Sequence, residues 1–440
     1  MNRATATIIQ QSSEGVRACA SAARISTTNG TALEIFNAAQ GGEKDQKLLR
    51  KVLSSGHKTV MEHMNLTVAF DQVSVIVEQF MIEARLNSFT VKSRRYVDYS
   101  NAGYVVPEGL SADAEIAYRA YMDDCFDRYQ RLLALEIPRE DARYVLPYSF
   151  RSNFYMSMNA RSLLQLVMMM TRGRGSRYPE VAMLGEQLKA QLEEMLPGVC
   201  AQEEKHFAAA YAAPLPEKFA AGHAVENHVT LQRAPEDAQA LLSESMAFTG
   251  RIAPGTLADA AAIDALLNDA RPRELEELNY VFRVADVSQA SITHFVRHRI
   301  QSILVPEAIH ALEKGDYVRP ETVAANPEAL SIYEEAFSKA AEVLPGLLDC
   351  GMPRHMAVYF TLSGHVTDIR LSMNARELRH FLKLRTCTRA QWEIRNAAWQ
   401  MLHLLEQSYP ALVSQYGPSC KVTGRCPEGR LSCGKPYTKG

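Results

Sequence analysis

Apolar and polar positions alternate over one short stretch in each half of the chain. Leu66, Val68 and Phe70 share one face, and Tyr280, Phe282 and Val284 repeat the arrangement. A period of two over such a length predicts a half-buried β-strand. Ser74 and Ser288 end these strands where a helix N-cap belongs, and longer helical patterns follow over about 112–136 and 326–345. Short strands are expected at 6–9 and 229–231. A further extended stretch leads into each Asn-Ala-Arg, at Asn159 and Asn374, and two helices close each half. Strands and helices mixed without strict βαβ alternation predict an α+β fold.

The element order occurs twice, and so does part of the text. The string Ser-Met-Asn-Ala-Arg ends at Arg161 and again at Arg376, its asparagines offset by 215 residues (374 − 159). The strands ending at Ser74 and Ser288 are offset by 214 (288 − 74). Two separate motifs in one register indicate a tandem duplication, and copies of this size are domains rather than solenoid repeats. The expected organisation is a first copy over 1–220, a second over 221–417 and a cysteine-rich tail over 418–440. The junction falls near 213–228, where Pro214, Pro216 and small residues read as a surface connection.

Length alone, 440 residues, suggests about three domains; the repeat replaces that with two copies and a tail. A hydrophobic share of 47% and a charged share of 22% suit a globular protein with a large core. Lys plus Arg number 48 against 50 Asp plus Glu. This balance argues against a nucleic-acid coat or a polybasic membrane binder, so neither nucleic acid nor membrane is an expected partner. The first residues lack a secretory apolar region and no apolar run approaches the roughly 20 residues of a membrane helix. Cys19, Cys125, Cys200 and Cys350 are scattered, as free thiols are, so a reduced cytoplasmic enzyme is expected.

The chemistry concentrates in two places. In the second copy Arg297, His298 and Arg299 stand at the end of the helix begun by Ser288, and two guanidiniums there can grip phosphate oxygens. Taken alone, these residues read first as a solvated basic helix end. His294 and His298 are four apart, but no Glu completes a zinc-binding HExxH pattern. In the first copy Ser93, Arg95 and Tyr96 place a hydroxyl, a cation and an aromatic ring on one loop, a set that suits a nucleotide.

Together these motifs resemble those of the flavin-dependent thymidylate synthases. The family's R-H-R, S-x-R-Y and upstream G-H-x-T-x-x-E-H are matched by Arg297 to Arg299, by Ser93 to Tyr96, and by Gly56, His57, Thr59, Glu62 and His63. Its E-D-A-R-x-V-L-P appears at 140–147, and N-A-R-x-L-x-H-F-L-x-L-R runs from Asn374 to Arg385, followed by A-Q-W-E-I-R at 390–395. The departures are complementary. The first copy has Glu83 and Ala84 for the first Arg and the His, Gln165 for His380 and Met170 for Arg385. The second has Glu307 and Ile309 for Ser93 and Arg95, Val358 for Arg143, and Arg271 and Arg273 for His57 and Thr59.

The resemblance implies formation of dTMP from dUMP, methylenetetrahydrofolate and NADPH with FAD as redox cofactor. It implies one composite site: Arg297 and Arg385 from the second copy, with Ser93, Arg95 and Arg143 from the first, bind and polarise the nucleotide. His294, His57 and Tyr96 fall at further substrate positions, the last two where a folate ring could stack. Arg297, His298, Arg299, Asn374, Arg376 and His380 match flavin positions, as do Thr59 and Glu62. The reciprocal site is expected to be dead, and a homodimer of two-copy chains imitates the family's tetramer.

The tail carries a separate signal. Cys420, Cys426 and Cys433, with Cys387 as a fourth ligand, can be read as a structural Zn²⁺ site or as free thiols. Two other functions stay open at this level: a related flavin-dependent methylase or hydroxymethylase of another pyrimidine nucleotide, and a degenerate, non-catalytic scaffold.

Overall fold

The computed structural model describes residues 4–205, 207 and 213–434. The chain divides into two compact units: Met1–Glu217 with Lys339–Thr361, and Lys218–Ser338 with Leu362–Gly440. Each unit mixes helices with an antiparallel sheet, the α+β class expected from the patterning.

The first unit's sheet contains β1 (Thr5–Gln11), β2 (Asn65–Ser74), β3 (Asn87–Val91) and β4 (Arg151–Asn159) in the order β1-β2-β4-β3. In the second unit a two-residue strand, β5 (Ala224–Val225), pairs in parallel with β9 (Tyr317–Val318). The main sheet there contains β6 (His228–Arg233), β7 (Asn279–Ser288), β8 (Ser302–Leu304) and β10 (Val366–Asn374) in the order β6-β7-β10-β8. The two orders are equivalent strand for strand, so the duplication read from sequence is a duplication of fold. Leu66, Val68 and Phe70 of β2 and Tyr280, Phe282 and Val284 of β7 are all buried, which satisfies the alternation that announced these strands.

Both central strands break register at the same place. Gln72 and Asp286 have φ of 55° and 56°, a left-handed conformation uncommon for residues with a Cβ. The bulge is held from the facing strand: Gln72 N–H donates to Asn153 Oδ1 at 2.7 Å, and Asp286 N–H to Asp368 Oδ1 at 3.2 Å. An extra residue there bends the strand end, and Ser74 and Ser288 emerge buried at the starts of the helices Val75–Ile82 and Gln289–Phe295.

A carboxylate secures each junction. Glu393, on the helix Trp392–Ser408, accepts from Ser288 N at 2.6 Å and from Ser288 Oγ at 2.5 Å. Its counterpart Glu180, on Pro179–Met195, accepts from Ser74 N at 2.9 Å and from Tyr359 Oη at 3.3 Å. Burial raises the Glu180 carboxyl above its ordinary range, opposed by these hydrogen bonds. Asn159 and Asn374 cap the helices Ala160–Thr171 and Ala375–Arg385, each accepting at 2.9 Å from the N–H three residues on.

The first unit's core includes a stretch far along the chain. Phe360 stacks on Tyr121 at 4.8 Å and meets Tyr118 edge-on at 5.5 Å. Tyr118 and Tyr121 belong to the helix Ala112–Ala134, which like Pro327–Asp349 corresponds to a helix expected from sequence. In the second unit, Tyr317, Phe337 and His365 pack together, with rings 4.1 and 5.0 Å apart. No helix among the described residues is long and apolar enough to cross a membrane.

Candidate active site

The second unit places Arg297–Arg299 just past the helix Gln289–Phe295. Three consecutive residues leaving a helix cannot share a face: Arg297 and Arg299 are exposed while His298 turns inward and is 4% exposed. The His298 ring lies 4.7 Å from Phe381 and 5.9 Å from His380. Its Nε2 receives the Nε–H of Arg385 at 2.9 Å, and its Nδ1 stands 3.2 Å from Glu377 Oε1. Arg385 Nη2 also donates to the His294 carbonyl at 3.1 Å. Burial holds His298 below the ordinary imidazole range, with Arg385 adding to the effect and Glu377 opposing it. The buried ring is therefore neutral near pH 7, as its acceptance of an Arg N–H requires.

The exposed face of Ala375–Arg385 lines a cleft of about 700 Å³. Arg376, Arg379, His380 and Lys383 stand on this wall, one or two turns apart, with Ser414 and Gly417 among the residues that complete the lining. The Asn374 side chain caps the helix, so its amide oxygen is already engaged. Arg376 Nη1 donates to Glu276 at 2.6 Å, and the first unit repeats the pair, Arg161 Nη1 to Glu62 at 2.5 Å. Thr59 and Glu62 lie exposed on the 3-10 segment Lys58–His63, with exposed His57 at its start.

In the first unit the loop after β3 carries Ser93, Arg95 and Tyr96 on a buried anchor, Arg94. Arg94 is 5% exposed and pairs with the fully buried Glu78, which also accepts from Ser152 Oγ at 2.6 Å. Arg95 N donates to Ser93 Oγ at 3.3 Å, tightening the turn, and Arg95 Nε donates to Glu140 Oε2 at 2.6 Å. The Arg95 guanidinium lies 5.4 Å from the centre of the Tyr96 ring, which is 59% exposed.

Arg143 completes this cluster. It is 3% exposed; its Nε donates to the Glu140 carbonyl at 3.0 Å, and its buried Nη2 has no hydrogen-bond partner. Burial lowers its pKa, with Arg94 and Arg95 acting in the same direction and Tyr144 and Glu140 opposing. A buried guanidinium nitrogen without an acceptor costs free energy on the order of 1–3 kcal/mol or more. An anionic ligand oxygen would supply the missing acceptor.

Each unit carries its own share of the expected residues: the second brings His294, His298, His380 and Arg385 together and leaves Arg297 and Arg299 exposed beside His298, while the first brings Ser93, Arg95 and Tyr96 together and joins Arg143 to them through Glu140. Sequence reasoning missed Arg94, Glu78, Glu140 and Glu377. Arg94 was hidden beside the motif arginine. Glu377 stands three residues after Asn374, where a capping box places an acid, and reads as a cap residue.

The zinc expectation is corrected. Among the described residues no three His, Cys, Asp or Glu side chains gather closely enough to hold a metal ion. Cys387, Cys420 and Cys426 are half-buried, and Cys433 is exposed. Cys420 sits in the short helix Ser419–Thr423 and Cys426 beyond its Gly424 terminus, so the tail turns without bringing its thiols around one point.

Comparison with known proteins follows the same division. The family model described as thymidylate synthase complementing protein matches residues 7–198 and again 233–411. The flavin-dependent thymidylate synthase of Geobacter sulfurreducens is 36% identical over 178 residues, 40% of this chain and 76% of that protein. That of Clostridium tetani is 34% identical over 190 residues, 39% of this chain and 76% of its own length. The crystal structure of a UMP/dUMP methylase from Streptomyces cacaoi aligns with a TM-score of 0.38 at 24% identity, covering 46% of this chain and 95% of its own. With both copies matched by the family model, the chain belongs to the flavin-dependent thymidylate synthase family as a two-copy member.

Proposed function

We propose that the chain converts dUMP to dTMP with methylenetetrahydrofolate, NADPH and FAD, at a composite site that draws residues from both copies. The observation that carries this reading is the buried, unpartnered Nη2 of Arg143 among Arg94 and Arg95, which calls for an anionic partner such as a nucleotide phosphate or a polarised carbonyl oxygen. Complementary loss supports the composite: Arg297, His298, His380 and Arg385 stand where the first copy has Glu83, Ala84, Gln165 and Met170. Ser93, Arg95 and Arg143 stand where the second has Glu307, Ile309 and Val358.

In this reading Ser93, Arg95, Arg143, Arg297 and Arg385 bind dUMP, with His294 beside them, neutralise its phosphate and draw charge onto the uracil carbonyls. That polarisation raises the electron density at C5, where the one-carbon unit attaches, a form of electrostatic catalysis. His57 and the exposed Tyr96 ring offer a stacking surface for the folate. FAD fits the residues present: the cationic cleft wall of Arg376, Arg379, His380 and Lys383 suits a pyrophosphate, with His298, Arg299, Asn374, Thr59 and Glu62 as further contacts. When bound, the flavin supplies the hydride taken from NADPH. Reducing a methylene to a methyl consumes that hydride, the C5 proton is lost, and the folate leaves as tetrahydrofolate. A homodimer in a reduced cytoplasmic setting belongs to the same proposal.

The test is direct. Purified yellow protein given dUMP, methylenetetrahydrofolate and NADPH should yield dTMP and tetrahydrofolate in equal amounts. Methylation of another pyrimidine nucleotide instead would replace the substrate, and a colourless, inert protein would leave a scaffold.

A further inference from the structure

We propose that Glu377 is a positioning residue for the nucleotide site, acting through His298 on Arg385. The inference rests on the reading that Arg385 contacts the nucleotide. A neutral imidazole has one donor and one acceptor nitrogen. Arg385 Nε can only donate, so His298 Nε2, 2.9 Å away, is the acceptor. Nδ1 then carries the proton and donates to Glu377 Oε1 at 3.2 Å. The carboxylate selects this tautomer. Without it the ring can place its proton on Nε2, where two N–H groups would face each other and Arg385 would be displaced. As it stands, Arg385 is fixed along one edge, through Nε to His298 and Nη2 to the His294 carbonyl. Phe381 holds the imidazole plane from the side.

Helix capping does not explain the carboxylate. The box at Thr31 and Glu34 shows what a reciprocal cap looks like, with the Glu34 side chain returned to the Thr31 N–H at 2.8 Å. At the second copy's helix the cap needs only the Glu377 N–H, donated to Asn374. The first copy keeps the same cap with Ser162 in that position. It has also lost the other two members of the relay, with Ala84 for His298 and Met170 for Arg385. All three members are absent together where the arginine is absent.

The experiment compares Glu377→Ala, Glu377→Gln, Glu377→Ser and Arg385→Ala in the full-length flavin-loaded protein, reading dUMP Kd by calorimetry and KM and kcat separately. Glu377→Ser reproduces a cap the protein already tolerates at Ser162, so it remains informative if the alanine variant folds poorly. Glu377→Ala and Glu377→Ser should weaken dUMP binding tenfold or more. Glu377→Gln, whose amide oxygen still accepts from Nδ1, should stay within threefold of the parent. In the Arg385→Ala background, Glu377→Ala should add less than twofold. If the alanine and serine variants bind dUMP like the parent while Arg385→Ala does not, the relay is wrong and the nucleotide reading stands. If Arg385→Ala itself binds normally, the reading beneath the relay fails.

Discussion

Arg143 donates its Nε–H to the carbonyl of Glu140 at 3.0 Å, and the Glu140 carboxylate takes Arg95 at 2.6 Å. One residue therefore sets the positions of two cations, while the Arg143 Nη2 is left buried without an acceptor. That orphaned nitrogen costs stability, and under the proposed function it is the charge kept available for the nucleotide.

Replacing that charge should separate folding from binding. Arg143→Met fills similar space and removes a buried, incompletely satisfied guanidinium. Removing a buried donor that lacks an acceptor takes away a penalty on the order of 1–3 kcal/mol. The midpoint of thermal unfolding should hold or rise while dUMP affinity drops at least tenfold. A variant that loses stability and keeps affinity contradicts this account.

Arg94 should behave in the opposite way. It neutralises Glu78, and both are buried. Arg94→Ala leaves a carboxylate in the core without its cation, a change that costs about 3–5 kcal/mol. Denaturant unfolding should show this loss directly. The double variant Arg94→Met/Glu78→Gln should recover much of it, because it removes both charges together.

The two buried histidines of the second unit give a pH dependence. His365 is 1% exposed, accepts the Leu362 N–H at Nδ1 at 2.8 Å, and is held by burial at a pKa of about 3. His298 is also lowered. Between pH about 6.5 and each folded value, the unfolded chain carries a proton that the folded chain lacks, so stability falls as pH falls. The loss is about 1.4 kcal/mol per pH unit for each fully coupled histidine, and it vanishes above the unfolded pKa. His365→Gln, which retains an acceptor for Leu362, should reduce the slope between pH 6.5 and 5 by close to one proton. An unchanged slope contradicts it.

Much of this was legible in the sequence because it follows from local rules. Alternation gave β2 and β7, Ser74 and Ser288 marked the helix starts, and the repeated Asn-Ala-Arg marked two capped helices. What was not legible depends on residues distant in sequence. The non-glycine bulges at Gln72 and Asp286 rest on side chains 81 and 82 positions away. The His298–Glu377 contact spans 79 positions, and Glu377 carries a local signal that points to a different role. The inclusion of Lys339–Thr361 in the first unit depends on Phe360 finding Tyr118 and Tyr121. Cysteine spacing misled for the complementary reason: it limits which thiols can meet but not whether the turns bring them together.

The tail cysteines should accordingly be dispensable for metal content. Metal analysis of the purified protein should show no stoichiometric zinc, and Cys387→Ser and Cys426→Ser should leave the free energy of unfolding unchanged within about 0.5 kcal/mol, the scale of surface substitutions. One zinc per chain, lost in either variant, would reverse this correction.

The central claim is that one nucleotide site takes its cations from both copies. The most direct measurement is calorimetric titration of the full-length protein with dUMP, repeated with Arg143→Met and with Arg385→Ala. The account predicts one dUMP per chain in the parent and loss of binding in each single variant, since each copy holds residues the other lacks. Two dUMP per chain, or full binding in either variant, would contradict it.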